Sequence, residues 1–234
     1  RLVLSAQGRL LLDYAERLLR LSDEAQAALR DGTPRGLLRV GTMESTAAAR
    51  LPPILAAYHG AWPQVSIELV SGTSGALVNK IHRGEIEAAF VAQPYAEEGL
   101  DGVLAFTEEL VLISPLAGVP VATAQDLRDA TLIAFSTGCS YRRILEAWLA
   151  QENVAAGRTM EFASYHAIVA CVAAGAGVAI VPRSVLDILQ AAQTLRVCAL
   201  PPPFVRARTM LVWRRGHQSP ALDALRAELP RTAG

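Results

Sequence analysis

Between residues 37 and 92 the chain alternates short strand-favouring runs with longer helix-favouring ones, and that alternation restricts it to an α/β fold. LLRVGT (37–42) reads as a strand, and STAAARLPPILAAYHG (45–60) as a helix that Pro52 and Pro53 bend or interrupt. VSIELVSG (65–72) alternates like a strand, SGALVNKIHRG (74–84) is a helix closed by Gly84, and IEAAFVA (86–92) is a short buried strand. This order implies a parallel sheet with right-handed crossovers.

GVLAFTEELVLISP (102–115) reads as a strand that crosses the molecule, and a second α/β unit follows it. TLIAFS (131–136), TMEFAS (159–164) and VAIVPRSVL (178–186) are its strands. CSYRRILEAWLAQENV (139–154) and YHAIVACVAAGAG (165–177) are its helices. LRVCALPP and ARTMLVWRR read as further strands, and SPALDALRAEL as a closing helix. Two similar α/β lobes joined by crossing strands make the hinged architecture of solute-binding proteins. No repeat is visible between them.

Residues 1–30 precede this body as one amphipathic helix. Leu11, Tyr14, Leu18, Leu21, Ala25 and Ala28 recur at spacings of three and four, the seam of a two-stranded coiled coil. Asp13, Glu16, Arg17, Arg20 and Glu24 occupy the other faces, and Ser5 is placed to cap the first turn. Such a stripe must be buried, most simply against its own copy in a dimer. Asp31-Gly32-Thr33-Pro34-Arg35-Gly36 then stops the helix as a linker.

Composition narrows the function. With 234 residues, 52% of them hydrophobic, the chain can bury one good core or two small ones. Lys and Arg total 22, as do Asp and Glu, so the net charge is zero and a DNA-binding face is not expected. Arg206, Arg208, Arg214 and Arg215 cluster around TMLVW and read as a solvated edge. Cys139, Cys171 and Cys198 show neither a CxxC pair nor Cys/His ligand spacing, against a disulfide framework or a structural zinc. No apolar run approaches the roughly 20 residues of a membrane span, and no export signal is visible. The expectation is a piece of a longer cytoplasmic protein without metal or cofactor.

Ligands of open parallel sheets bind beyond the carboxyl ends of strands, at helix N-termini. Four such exits carry hydroxyl or small polar residues: Thr42-Met43-Glu44-Ser45-Thr46, Gly72-Thr73-Ser74-Gly75, Gly138-Cys139-Ser140-Tyr141 and Ser164-Tyr165-His166. Converging in a cleft, they would hold a carboxylate or other small polar ligand. The alternative is that Ser45, Ser74 and Ser140 merely cap helices. Glu44 either binds a ligand amino group or stabilises the helix dipole. His166 adds pH dependence or is a structural histidine. Cys139, at a helix start beside Arg142 and Arg143, is expected to have a lowered pKa, although a packing role is favoured. The glycines of AAGAGVAIVP (173–182) follow a helix and precede a strand, the reverse of a phosphate loop, so they read as a C-cap and a close helix–sheet contact.

These segments together resemble the LysR-type transcriptional regulators. RLVLSAQGRLLLDYAERLL is similar to the end of that family's winged helix-turn-helix and the start of its dimerising linker helix. LLRVGT, the LPP helix, Trp62-Pro63 and Gly84-Glu85-Ile86-Glu87-Ala88 resemble the first half of its effector-binding domain, and VAAGAGVAIVPRSVL a later segment. GTMESTAAARLPP, GCSYRR and EFASYHAI resemble the subgroup of YofA- and SoxR-like regulators. The resemblance implies a two-lobed, type 2 periplasmic-binding-protein-like fold behind a linker helix. Residues 1–31 would be the end of the winged helix-turn-helix and the linker helix; residues 37–115 with 206–234 would be lobe I, and 116–205 lobe II. It implies an inducer held by Thr42, Met43, Glu44, Ser45, Thr46, Thr73, Ser74, Cys139, Ser140, Tyr141, Ser164, Tyr165 and His166. Peroxide-sensing members carry a reactive Cys near the place of Cys139, but their resolving Cys has no counterpart here.

The leading expectation is thus the ligand-sensing and oligomerising part of a regulator. It would form a homodimer or homotetramer, have no membrane partner, and meet operator DNA only through an N-terminal domain absent from this sequence. A transport-associated solute-binding protein, or an enzyme using Cys139 and His166, stands as the alternative.

Overall fold

The computed structural model describes residues 3–28, 32–117 and 120–230. Helix α1 (Ala6–Ala28) opens the chain, with the Gly8 N–H donating to Ser5 Oγ at 3.0 Å, the cap expected from the sequence. Leu11 (70% exposed), Tyr14 (54%) and Leu18 (66%) lie on its surface, as do Leu10, Leu12 and Leu19. The side chains of Leu21, Ala25 and Ala28, and of the charged set Asp13, Glu16, Arg17, Arg20 and Glu24, lie outside the described residues, as does Asp31 of the linker.

The first α/β unit follows the order read from its sequence. Strand β1 (Gly36–Thr42) pairs in parallel with β2 (Val65–Ser71) and β3 (Ala88–Ala92). The intervening run divides at Arg50 into α2 (Glu44–Ala49) and α3 (Leu51–Ala61), with proline in the first turn of α3, where no backbone N–H is needed. Helix α4 (Ser74–His82) fills the β2–β3 crossover. The register sets Thr42 opposite both Ser71 and Phe90, so the three strands release their chains at one level.

Strand β4 (Leu100–Pro115) is the crossing strand. Its first part, Leu100–Glu109, pairs with β9 (Arg206–Arg214); its last residues, Leu110–Pro115, pair with β7 (Ala179–Pro182) and β8 (Leu195–Ala199). The main sheet runs β2-β1-β3-β9-β4-β7, with β8 also on β4. Strands β5 (Thr131–Ala134) and β6 (Arg158–Glu161) form a smaller parallel pair, tied to the segment before β7 through Leu132 and Val178. Helix α5 (Ser140–Gln151) follows β5, α6 (Tyr165–Ala173) follows β6, and α8 (Pro220–Ala227) closes the described chain.

Two apolar cores flank the crossing, and a third, around Leu77, Val78, Ile81 and Val91, lies under α4. Leu110 to Ile113 pack with Leu132, Leu145, Trp148, Ile168 and Val181; Leu38, Val40, Leu51, Tyr58, Phe90 and Leu211 pack with Leu222 and Leu225. The Tyr58 hydroxyl donates to the Ala221 carbonyl at 2.8 Å, which holds α8 to α3, and burial together with Glu87 pushes its pKa up to about 12. Glu108, 3% exposed, sits at the crossing and accepts from Arg50 Nε and Nη2 at 2.6 and 2.9 Å and from Ser184 Oγ at 2.8 Å. A carboxylate so buried is tolerable because every one of these donors is aimed at it.

Two expectations are corrected. The strand read as 178–186 ends at Pro182, where the chain turns into helix α7 (Arg183–Leu189). Pro182 caps that helix in an extended conformation, and Val185 and Leu186 are buried on its inner face. The arginines around TMLVW do not border a sheet edge: β9 lies between β3 and β4, and only the side chains of Arg206, Arg208, Arg214 and Arg215 reach solvent.

The glycines after α6 have separate tasks. Gly175 ends the helix at φ +89° with open space around it, whereas a Cβ on Gly177 would stand 2.2 Å from the Thr131 carbonyl oxygen. Gly177→Ala is therefore expected to cost about 3 kcal/mol, read from the urea midpoint. Gly175→Ala should cost about 1 kcal/mol, from the left-handed backbone alone. Equal losses at the two sites would contradict the close approach at Gly177.

Candidate functional site

The strand exits gather where β1, β2 and β3 end. Met43 precedes α2 in extended conformation, and the Thr42 hydroxyl, fully buried, donates to the Met43 carbonyl at 3.0 Å. Thr73 caps α4 by accepting from the Ala76 N–H at 3.4 Å. Ser74, also fully buried, accepts from the Ala92 N–H at 3.1 Å and donates to Met43 Sδ at 3.3 Å. From the facing side Ser140, 1% exposed, donates to the Ala92 carbonyl at 2.7 Å and lies 3.2 Å from that of Pro94. Neither Ser74 nor Ser140 caps its helix; each binds the backbone at the end of β3.

Two further contacts bridge the halves. The Gly75 N–H donates to the Gly138 carbonyl at 3.3 Å. Gly138 has φ +98°, and a Cβ there would lie 2.9 Å from Thr73 Oγ1, so the approach depends on glycine. The Tyr165 N–H, at the head of α6, donates to Glu44 Oε1 at 3.3 Å. Glu44 thereby occupies the positive end of a helix that belongs to the other half of the molecule.

Between these contacts lies a crevice of about 270 Å³, its open mouth included. Met43, Glu44, Ser45, Gly72, Thr73 and Ser74 line one side, and Phe135, Cys139, Tyr141 and Tyr165 the other. The rings of Phe135 and Tyr165 meet at 4.7 Å and 54°. Thr42, Thr46, Ser140, Ser164 and His166 lie outside the lining: the first three are buried, Ser164 is partly exposed at the start of α6, and His166 is exposed. Phe135 was not singled out from the sequence. It is the first residue past β5, so the rule applied to the other strand exits reaches it when extended by one position.

Electrostatics separates these residues. Burial pushes the Glu44 carboxyl above its ordinary range, partly offset by the Tyr165 N–H and the charge of His166. Burial likewise raises the phenols of Tyr141 and Tyr165. The expected lowering at Cys139 is reversed: burial raises its thiol despite the α5 N–H groups and the charges of Arg142 and Arg143. Arg142 is engaged by Glu146 at 2.7 Å and Glu161 at 2.5 Å, and Arg143 donates to the Pro94 carbonyl. Ser45 and Thr209 stand close enough to stabilise an ionised Tyr141, yet none of the three buried hydroxyls reaches hydrogen-bond geometry with a partner. Among the described residues no cluster of His, Cys, Asp or Glu is arranged to hold a metal, and no helix is long and apolar enough to cross a membrane.

Glu44 gives a signed prediction. The folded chain holds its proton more tightly than the unfolded chain does. Stability from this group is therefore full below the unfolded carboxyl pKa and lost as pH rises through the raised folded value. Glu44→Gln keeps an oxygen for the Tyr165 N–H and removes the charge. The variant should melt roughly 2 °C higher at pH 8, and the gain should vanish near pH 4. Thermal denaturation across that range checks it, and an unchanged offset at both ends would contradict the assignment.

Residues 31–234 match the LysR substrate binding domain family. The chain is 36% identical over 218 residues to the HTH-type transcriptional regulator YusT of Bacillus subtilis, spanning 92% of this chain and 72% of that one. It is 32% identical over 214 residues to SoxR of Arthrobacter sp. (91% and 72%) and 36% over 204 residues to YofA of Bacillus velezensis (87% and 70%). The effector binding domain of QuiR in complex with shikimate superposes with TM-score 0.71 at 19% identity, covering 83% of this chain and 95% of that chain. Full-length CbnR bound to its target DNA superposes with TM-score 0.72 at 23% identity, covering 100% and 83%. This chain therefore belongs to the LysR family of transcriptional regulators, and residues 31–234 carry its substrate-binding domain.

Proposed function

We propose that this chain senses a small-molecule effector in the crevice between lobe I (37–115 with 206–234) and lobe II (116–205), and transmits the result through α1 to a second copy. The observation that carries this reading is the origin of the lining. Six residues come from one lobe and four from the other, so a molecule seated there touches both and favours one relative placement. A tenfold preference for that placement supplies about 1.4 kcal/mol of coupling. That a shikimate complex exists for QuiR supports a metabolite-sized ligand in the same domain.

The chain acts as a binding domain rather than an enzyme. Burial raises the Cys139 thiol, the opposite of the lowered pKa that favours a Cys–His nucleophile. Operator DNA is assigned to the part of the relatives this chain does not match, consistent with zero net charge here. On this reading the chain works in the cytoplasm, as a homodimer or homotetramer joined through α1.

A thermal-shift screen of amino acids, carboxylates and aromatic acids tests the sensing role. A ligand should raise the melting temperature, and Phe135→Ala should abolish the shift while leaving the fold intact. A shift indifferent to Phe135→Ala would move the site elsewhere. For α1, Leu11→Asp with Leu18→Asp should weaken self-association at least tenfold in sedimentation velocity. Unchanged association would remove the coiled-coil role.

A further inference from the structure

The charge in the crevice indicates what kind of effector it takes. Glu44 is the one lining residue with a charged side chain among those described, and no Lys or Arg reaches the cavity. The two arginines at the head of α5 are engaged elsewhere, Arg142 by carboxylates and Arg143 by a backbone carbonyl. His166 places charge near Glu44 but is exposed and outside the lining. The N-terminus of α6, where an anionic ligand would find free N–H groups, is already occupied by Glu44 Oε1.

What remains open suits a cation. The second Glu44 oxygen makes no hydrogen bond with a described residue, so a donor entering the crevice finds an unclaimed acceptor. Phe135 and Tyr165 offer aromatic surface beside it, which attracts an ammonium group.

Resting on the crevice being the effector site, we propose that its effector is a small organic cation, a protonated amine paired with the Glu44 carboxylate. Glu44 is then the residue that selects effector charge, and small carboxylates are excluded by repulsion. The ligand's ammonium group then adds to the α6 N–H and the charge of His166 in compensating the half-buried carboxylate.

Isothermal titration of the intact chain with alaninol, phenethylamine and putrescine, set against lactate, phenylacetate and succinate, tests this. At least one amine should bind, every carboxylate should bind at least tenfold more weakly, and Glu44→Gln should weaken the amine at least tenfold without lowering the melting temperature. A carboxylate that binds more tightly than every amine, and is weakened by Phe135→Ala, overturns the charge assignment while the crevice remains the effector site. Absence of binding in both sets, or binding indifferent to Phe135→Ala, rejects the cation and the effector-site reading together.

Discussion

The two halves of this molecule are organised around a single residue, Ala92. Its N–H is held by Ser74 at the head of α4, and its carbonyl by Ser140 at the head of α5. Both hydroxyls are buried, so each bond is made where water does not compete, and the loss of either would leave a polar group without compensation. The end of β3 thereby becomes the fixed point from which both helices set out. The crevice lies immediately beside it because those same helices carry Thr73 and Cys139 at their first turns.

A further connection between the halves is ionic. Glu108 sits near the point where β4 passes from β9 to β7 and β8, and it gathers Arg50 from the α2–α3 bend and Ser184 from α7. Arg50 is partly exposed, so it keeps some hydration while satisfying a carboxylate that has almost none. The crevice carboxylate differs in kind. Glu108 is saturated with donors, whereas Glu44 meets a single backbone N–H and is raised by burial. One is saturated; the other keeps an oxygen without a hydrogen bond among the described residues.

Much of the order was legible along the chain. The strand–helix alternation of residues 36–92, the long crossing strand and the closing helix each match an observed element, because local periodicity reports directly on which face is buried. The error at Pro182 has a local origin: AIVP and SVL are both apolar, and their boundary depends on the direction the chain takes after proline. The arginines misled for another reason. A cluster of charges flanking a strand reads as an edge, yet β9 is covered on both sides by backbone pairing while its arginines still reach solvent. Pairing along the sheet and exposure across it are independent.

The sequence by itself determined most of the element types, the two α/β units and the hydroxyl-bearing residues at the strand exits, since each follows from short-range pattern and side-chain chemistry. Only the tertiary structure decided what those hydroxyls do. Ser74 and Ser140 are turned to Ala92, the hydroxyls of Ser45 and Tyr141 are buried beside the crevice, and the Cys139 thiol is raised rather than lowered. The physical reason is that hydrogen-bond partners and desolvation come from residues far along the chain, 121 positions apart at Glu44 and Tyr165, and no local pattern records them.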